Sequence, residues 1–260
     1  MADGRHRDLE ELAMSVPSVQ LYSVRDAFAA DPAGTLRRLA AIGFTQVEPY
    51  GVVENAEALR AGLPATGLTA PTAHARLLGA DQHAVFAAAA ELGIGLVIEP
   101  LVPPEQWQDA TAIAATADAL NAAAKLAAEH GVRVGYHNHW WELESRMDGR
   151  SAFEVFAAQL DPAVALEVDT YWATAGGEDA PALLRRLGDR VRAIHVKDGD
   201  LATDATGQVP AGQGRVPVAD VLAAAPDALR VIEFDAYSGP AGDLFDAIAA
   251  SHAFLTGAGR

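Results

Sequence analysis

Histidine and carboxylate residues recur at the ends of short apolar segments in the second half of this chain. The segment GYHNHWWEL (135–143) places His137 and His139 one residue apart, directly after the apolar run 132–134. Three later segments end in LEVD (166–169), HVKD (195–198) and EFD (233–235). Imidazole and carboxylate groups together bind divalent transition metals, and they also act as general acids and bases. Each of these groups taken alone is equally compatible with a hydrogen-bonded polar side chain at the edge of a loop.

Strand alternation places these polar groups on a common face. Successive side chains of a strand point to opposite faces, so Val164, Leu166 and Val168 form one face and leave Glu167 and Asp169 on the other. The same alternation pairs His137 with His139, His195 with Lys197, and Glu233 with Asp235, and Gln20, Glu48 and Glu99 follow it earlier in the chain. An unpaired buried charge is costly. A bound divalent cation is therefore the simplest explanation for such groups on four consecutive strands.

The elements that must position these groups alternate along the chain. Strand patterns cover 17–23, 44–49, 67–74, 94–100, 132–138, 163–169, 191–197 and 229–235. Helix patterns cover 32–42, 54–62, 80–92, 109–130, 151–160, 180–188, 217–225 and 241–255. Alternating strands and helices predict an α/β fold with a parallel sheet, and eight repeats predict a closed (β/α)8 TIM barrel. A doubly wound open sheet is the alternative, but no Gly-x-Gly-x-x-Gly motif follows the first strand.

Composition narrows the class of protein. The 260 residues are 50% hydrophobic, which fits one barrel domain over 16–260 preceded by a tail or short extra helix over 1–15. A net charge of −16 disfavours nucleic acid and anionic membranes as partners. The chain has no cysteine, so any metal must be held by His, Asp or Glu. The beginning of the chain lacks the apolar core of a signal peptide, which predicts a cytoplasmic protein.

Several motifs together resemble the sugar phosphate isomerase/epimerase superfamily, the xylose-isomerase-like TIM barrels. They are VQLYSVRD, YHNHWWEL, LEVDTYWATAGG, IHVKDGD, GQGRVP and VIEFD, in that order. The resemblance implies one catalytic divalent metal at the ends of strands five to eight, with manganese the first choice and zinc, cobalt, iron or magnesium the alternatives. Carried onto this sequence, its ligands are His137, Asp169, His195 and Glu233. Relatives usually have Glu at the first position, and a His there resembles the branch of inosose dehydratase and keto-sugar lyases.

The resemblance implies an enzyme that acts on a small carbohydrate. The expected reaction is isomerisation or epimerisation of a sugar, keto-sugar or cyclitol through an enediolate. The first alternative is a lyase or dehydratase that eliminates a β-substituent from a 3-keto-glycoside or an inosose. The second is a non-catalytic, metal-stabilised sugar-binding subunit, with a homo-oligomer or a partner subunit as the assembly. Relatives that cleave DNA need further histidines, and Trp172 stands where one of them would follow Asp169.

Roles follow for the remaining polar groups. Glu233 is expected to act as base as well as ligand, and the other expected catalytic groups are Glu142, His139 and Lys197. Whether His137 or His139 is the ligand stays open, with His137 preferred. The expected substrate-binding residues are His74, Glu99, Trp172 and Arg215.

Overall fold

The computed structural model describes residues 16–239 and 243–257. The tail or extra helix expected over 1–15 lies outside this part of the chain. Seven strands form the main sheet: β1 (Ser18–Val19), β2 (Thr72–His74), β3 (Leu96–Glu99), β4 (Arg133–His137), β7 (Ala165–Asp169), β8 (Val191–Val196) and β11 (Leu229–Ile232). Two short hairpins complete the strands: β5 (Arg146–Met147) with β6 (Arg150–Ser151), and β9 (Asp198–Gly199) with β10 (Gln208–Val209).

The main sheet is parallel throughout, in the order β1-β11-β8-β7-β4-β3-β2. The prediction of eight regular strands is confirmed only in part, because the segment 44–49 forms no regular strand. Gln46 and Glu48 of this segment make isolated parallel bridges instead, to Thr69 and to Gln20 beside β1, and the next residue, Tyr50, bridges to His74 of β2. Pro49 has no amide hydrogen to donate, and its carbonyl accepts from the His74 N–H at 2.8 Å. The fold is a TIM barrel in which this bridging segment joins the two edge strands.

Helices follow the strands as the sequence predicts. The α-helices are Arg25–Ala30, Pro32–Ile42, Ala56–Thr66, Gln82–Glu91, Ala110–Glu129, Trp141–Glu144, Ala152–Ala157, Thr170–Ala175, Ala180–Leu187, Val218–Ala224 and Leu244–Thr256, with 3-10 turns at Leu21–Val24, Pro104–Trp107 and Gly188–Arg190. The caps explain their bounds. Asp31 accepts a hydrogen bond from the Gly34 N–H before the helix that begins at Pro32, and Gly43, at φ 117°, ends it. No helix among the described residues is long and apolar enough to cross a bilayer.

The strands separate two kinds of interior. Val164, Leu166 and Val168 pack outward into the large core between sheet and helices, as the alternation predicts. The inward face is filled by small apolar clusters: Leu96, Ile98 and Ala165 in one, and Ala193, Leu229 and Val231 in the other. Polar side chains follow these clusters toward the carboxyl ends of the strands. That is the end at which TIM barrels carry their active sites.

Candidate active site

A buried group of imidazoles and carboxylates lies at the carboxyl ends of the strands. Two overlapping sets of four side chains each bring their ligand atoms within 4.8 Å of one another. The first set contains His137, Asp169, His195 and Glu233, and the second contains His74, His137, Glu167 and His195. The first set is the one that the family resemblance implies. The structure thus brings these four predicted side chains together.

The first set is held by consecutive neighbours in the sheet. His137 ends β4, Asp169 ends β7, His195 lies in β8 and Glu233 follows β11 directly. Nε2 of His137 lies 3.9 Å from Oδ2 of Asp169, and Nδ1 of His195 lies 2.8 Å from Oε2 of Glu233. Asp169 also caps the helix that begins at Thr170, because its Oδ1 accepts from the Trp172 N–H at 2.9 Å. These contacts fix the positions of the predicted ligands.

A second polar layer lies below the first and includes carboxylates to which the sequence analysis assigned no role. Nε2 of His195 lies 2.8 Å from Glu48 Oε1 and 3.1 Å from Glu167 Oε2. Nε2 of His74 lies 2.5 Å from the same Glu167 oxygen. Gln20 donates to Glu48 at 2.8 Å. The alternation had placed Glu48 and Glu167 on the inward face, so the signal was present in the sequence.

Lys197 is fully buried among carboxylates. Its Nζ lies 2.8 Å from Asp169 Oδ2, 2.5 Å from Glu233 Oε2 and 2.8 Å from Asp235 Oδ2. The ammonium also lies 5.4 Å from the centre of the Trp172 ring, a distance at which a cation is attracted to an aromatic face. Lys197 therefore pairs with two of the predicted metal ligands and with Asp235.

Burial and neighbouring charges shift the pKa values of this group. Burial, aided by the His195 charge, lowers the pKa of His137 to about 3. Burial raises the pKa of Asp169 to about 6, against the opposing effect of Lys197. Burial alone would raise the pKa of Glu167, but His195 and His74 hold it well below its usual range. Neutral His137 is the form that binds a metal.

The donor set fits a divalent cation. Glu48, Glu167, Asp169, Glu233 and Asp235 are all at least largely buried, and Lys197 is the one Lys or Arg that forms an ion pair with their carboxylates among the described residues. Oε1 of Glu167 is buried and has no hydrogen-bond partner in the described part of the chain. An excess of buried carboxylate with an unpaired oxygen is an arrangement that a cation stabilises. Mixed imidazole and carboxylate ligands suit manganese, iron, cobalt and zinc, and a carboxylate-rich set also suits magnesium.

A cavity of about 670 Å³ opens above this group. His74, His137, His139, Glu233 and Asp235 reach its floor. His139 stacks on Trp141 with ring centres 4.4 Å apart, and its buried Nδ1 has no hydrogen-bond partner among the described residues. His139 stands outside both sets of candidate ligands. His137 thus belongs to both candidate sets, and both imidazoles line the cavity.

Four other predicted site residues lie away from the cavity walls. Glu142 is buried below the loop, where it accepts from the Tyr136 hydroxyl at 2.8 Å and from the His139 N–H at 3.0 Å. Glu99 accepts from the Leu77 and Leu78 N–H groups at 2.7 and 2.8 Å. Trp172 lies buried beside Lys197, and Arg215 donates to the Asp200 carbonyl at 3.2 Å. None of the four lines the cavity.

Asp198 organises the loop that carries Arg215. Its carboxylate faces the backbone of this loop. Oδ2 accepts from the Gly212 and Gly214 N–H groups at 2.9 and 2.8 Å, and Oδ1 accepts from Val216 at 3.0 Å. A single buried carboxylate thus fixes the GQGRVP segment.

Fold and site together define a TIM barrel with a candidate metal centre at the carboxyl ends of its strands. Residues 36–229 match the sequence profile described as xylose isomerase-like TIM barrel, so the chain belongs to that family. An inosose dehydratase from Clostridium tetani is 30% identical over 101 residues, which is 38% of this chain. That match spans 31% of the length of the dehydratase.

Solved structures show the same fold. A sugar phosphate isomerase/epimerase from Parabacteroides distasonis superposes with a TM-score of 0.78 at 21% identity, covering 94% of this chain and 95% of that one. A probable 3-DHS dehydratase from Bacillus anthracis superposes with a TM-score of 0.71 at 15% identity, covering 93% and 98% of the two chains. At these identities the likeness establishes the architecture alone.

Proposed function

We propose that this protein is a divalent-metal-dependent enzyme that isomerises or epimerises a sugar, keto-sugar or cyclitol. One observation carries the proposal: the ligand atoms of His137, Asp169, His195 and Glu233 lie within 4.8 Å of one another. The set is buried but reaches a cavity through His137 and Glu233. The similarity to a sugar phosphate isomerase/epimerase supports a carbohydrate as the substrate.

A divalent ion held by these four residues would act as a Lewis acid on the substrate carbonyl and so favour loss of the neighbouring C–H proton. Manganese is the first choice of ion, and zinc, cobalt, iron and magnesium fit the same ligand types.

Glu233 is the proposed base. Its carboxylate lines the cavity, where a substrate C–H can approach it. Lys197 and His195 hold the pKa of Glu233 well below its usual range despite burial, so the carboxylate is ionised. Lys197, 2.5 Å from Glu233 Oε2, fixes the orientation of this group. His139 presents a neutral imidazole to the cavity floor, where it can hydrogen-bond a substrate hydroxyl.

A lyase or dehydratase is the second candidate. His137 occupies the position where related isomerases usually have Glu, and the inosose dehydratase is 30% identical over 101 residues. Elimination begins with the same proton removal and then expels a substituent from the next carbon. Glu142, whose pKa burial raises to about 8, would protonate the leaving group after a rearrangement of its loop brings it to the cavity.

Metal content and proton exchange test the proposal together. The purified protein is analysed for bound metal, loaded with Mn²⁺ and incubated with keto-sugars in heavy water. We expect one equivalent of metal and deuterium incorporation next to the carbonyl. Epimers or isomers then indicate the first reaction, and release of water or of a glycosidic group indicates the second. Absence of metal binding, or of exchange with every keto-sugar, would contradict the proposal and favour a sugar-binding subunit.

Two variants separate the site from general effects. Asp169→Asn removes a ligand charge and should abolish both metal binding and exchange. His83→Ala is the matched control for adventitious metal, because His83 lies on the exterior, where its Nδ1 is 3.2 Å from Nε2 of His130. Equal metal content in the two variants would show that the bound metal lies elsewhere.

A further inference from the structure

The wall of the cavity differs chemically from its floor. Tyr22 and Val53 are 43% and 41% exposed, and they are the large hydrophobic side chains of the described residues that stand out in solvent. Both line this one cavity. Exposed apolar side chains that cluster at one cavity are typical of a ligand-binding surface.

The apolar wall continues around one side of the barrel mouth. Tyr50 packs edge-on against Tyr22, with ring centres 5.5 Å apart. Val52, Val85 and Leu101 also line the cavity. These residues follow β1, the bridging segment, β2 and β3. The imidazoles and carboxylates of the floor lie on the other side, apart from His74.

The charges on the wall disfavour an anionic substrate. Among the described residues that line the cavity, Arg76 is the single Lys or Arg, whereas Glu54, Asp81, Glu233 and Asp235 all line it. A phosphate carries close to two negative charges at neutral pH, so this arrangement repels it. A sugar phosphate is therefore a poorer fit than an uncharged sugar.

The cavity is larger than a single sugar ring would fill. Its volume of about 670 Å³ lies within the range of roughly 300–1,000 Å³ that proteins use for drug-sized ligands. A single ring over Glu233 and His137 leaves the space beside Tyr22, Val53 and Leu101 unfilled. Apolar groups are the chemistry that this remaining space can bury.

We propose that the substrate is an uncharged keto-glycoside with an aromatic aglycone, whose sugar lies over the polar floor and whose aromatic group packs against Tyr22, Tyr50 and Val53. The assignment rests on the proposed function, since it takes the floor as the place of the sugar. Both parts are continuous within one cavity, so a single ligand contacts both.

Equilibrium binding to the Mn²⁺-loaded protein tests this substrate class. The probes are a nitrophenyl keto-glucoside, the methyl keto-glucoside and the corresponding keto-sugar phosphate. We expect the aryl compound to bind at least about tenfold more tightly than the methyl compound, and the phosphate to bind most weakly. Equal affinities for the aryl and methyl compounds, or tighter binding of the phosphate, would overturn the assignment. Deuterium exchange on the same samples reports the proposed chemistry separately, so either idea can fail alone.

Variants at the wall locate the aglycone. Val53→Ser and Tyr22→Ser should each lower the aryl-to-methyl affinity ratio by about threefold or more. Because both side chains are exposed, neither substitution should disturb folding, and circular dichroism checks this. Tyr237→Ser is the matched control, because this half-buried tyrosine packs on Phe234 outside the cavity. An unchanged ratio in both wall variants, or a change of oligomeric state in its place, would show that the wall serves another purpose.

Discussion

The ammonium of Lys197 lies 2.8 Å from Oδ2 of Asp169, and both side chains are completely buried. A positive side chain therefore already contacts a carboxylate that we propose as a metal ligand. In the protein without metal, Lys197 balances part of the carboxylate charge. A dication bound by Asp169 and Glu233 must share these oxygens with Lys197.

Replacing Lys197 should separate stability from metal affinity. Lys197→Met leaves its carboxylate partners without their cation, so we expect the metal-free protein to lose about 3–5 kcal/mol of unfolding free energy. The same change should tighten Mn²⁺ binding by about tenfold, or about 1.4 kcal/mol, because the competing charge is gone. Urea unfolding with and without Mn²⁺, and calorimetric titration, measure the two effects. The control is Lys125→Met on an exposed helix face, and weaker Mn²⁺ binding by Lys197→Met would refute the argument.

Glu48 should affect the metal affinity of the site without being a ligand itself, because it contacts His195. Glu48 Oε1 lies 2.8 Å from His195 Nε2, so it orients the ring whose Nδ1 faces Glu233. Outer carboxylates of this kind typically contribute 10–100-fold in metal affinity, and we expect Glu48→Gln to weaken Mn²⁺ binding by about that factor. The exposed Glu57→Gln serves as control. An unchanged dissociation constant for Mn²⁺ in Glu48→Gln would exclude this orienting role.

Glu142 should make stability depend on pH. Burial raises its pKa from 4.5 to about 8, so folding favours the protonated acid. Its contribution is fully present below pH 4.5 and is lost as the pH rises through about 8, at up to roughly 1.4 kcal/mol per pH unit. Glu142→Gln should therefore gain stability relative to the parent protein between pH 5 and 8, as measured by urea unfolding. Glu144→Gln, an exposed change in the same short helix, should show no such trend, and parallel pH profiles of Glu142→Gln and the parent would contradict the shift.

Gly214 should tolerate no side chain. A Cβ at this position would overlap the Asp198 carboxylate and the Gly199 amide, which the loop after β8 uses for its hydrogen bonds. Gly214→Ala should cost on the order of 1–3 kcal/mol in unfolding free energy. Gly95→Ala is the control, since its Cβ would approach only the Pro71 carbonyl at 3.9 Å. Equal melting temperatures for the two variants would show that the loop adapts.

Much of the site is readable from strand alternation alone. In β7, β8 and β11 the alternation assigned Asp169, His195 and Glu233 to the inward face, because a buried strand fixes which side chains share a face. Glu167 and Glu48 obeyed the same rule but received no role, since depth within the barrel depends on the stagger of neighbouring strands. The paired strands set that stagger, and one sequence does not reveal it.

Loops limited the prediction more than strands did. Glu142 follows β4 and Glu99 ends β3, and both were expected at the substrate, yet their carboxylates bind Tyr136 and backbone amides. Three short helices, Arg25–Ala30, Trp141–Glu144 and Thr170–Ala175, were not predicted. Such short turns lack a periodic pattern, and tertiary contacts determine their path. The segment 44–49 was predicted as a strand, but Pro49 limits it to isolated bridges.

The division of the barrel mouth has a consequence for how such a protein can diversify. The ionisable groups come mainly from β4, β7, β8 and β11, whereas the apolar wall comes from the loops after β1, the bridging segment, β2 and β3. Substitutions in the loops that form the apolar wall leave the ionisable groups in place. Separate stretches of the chain therefore carry the wall and the ionisable groups. Exchanging residues 50–54 between homologues should change which substrate is bound and leave the candidate metal ligands unchanged.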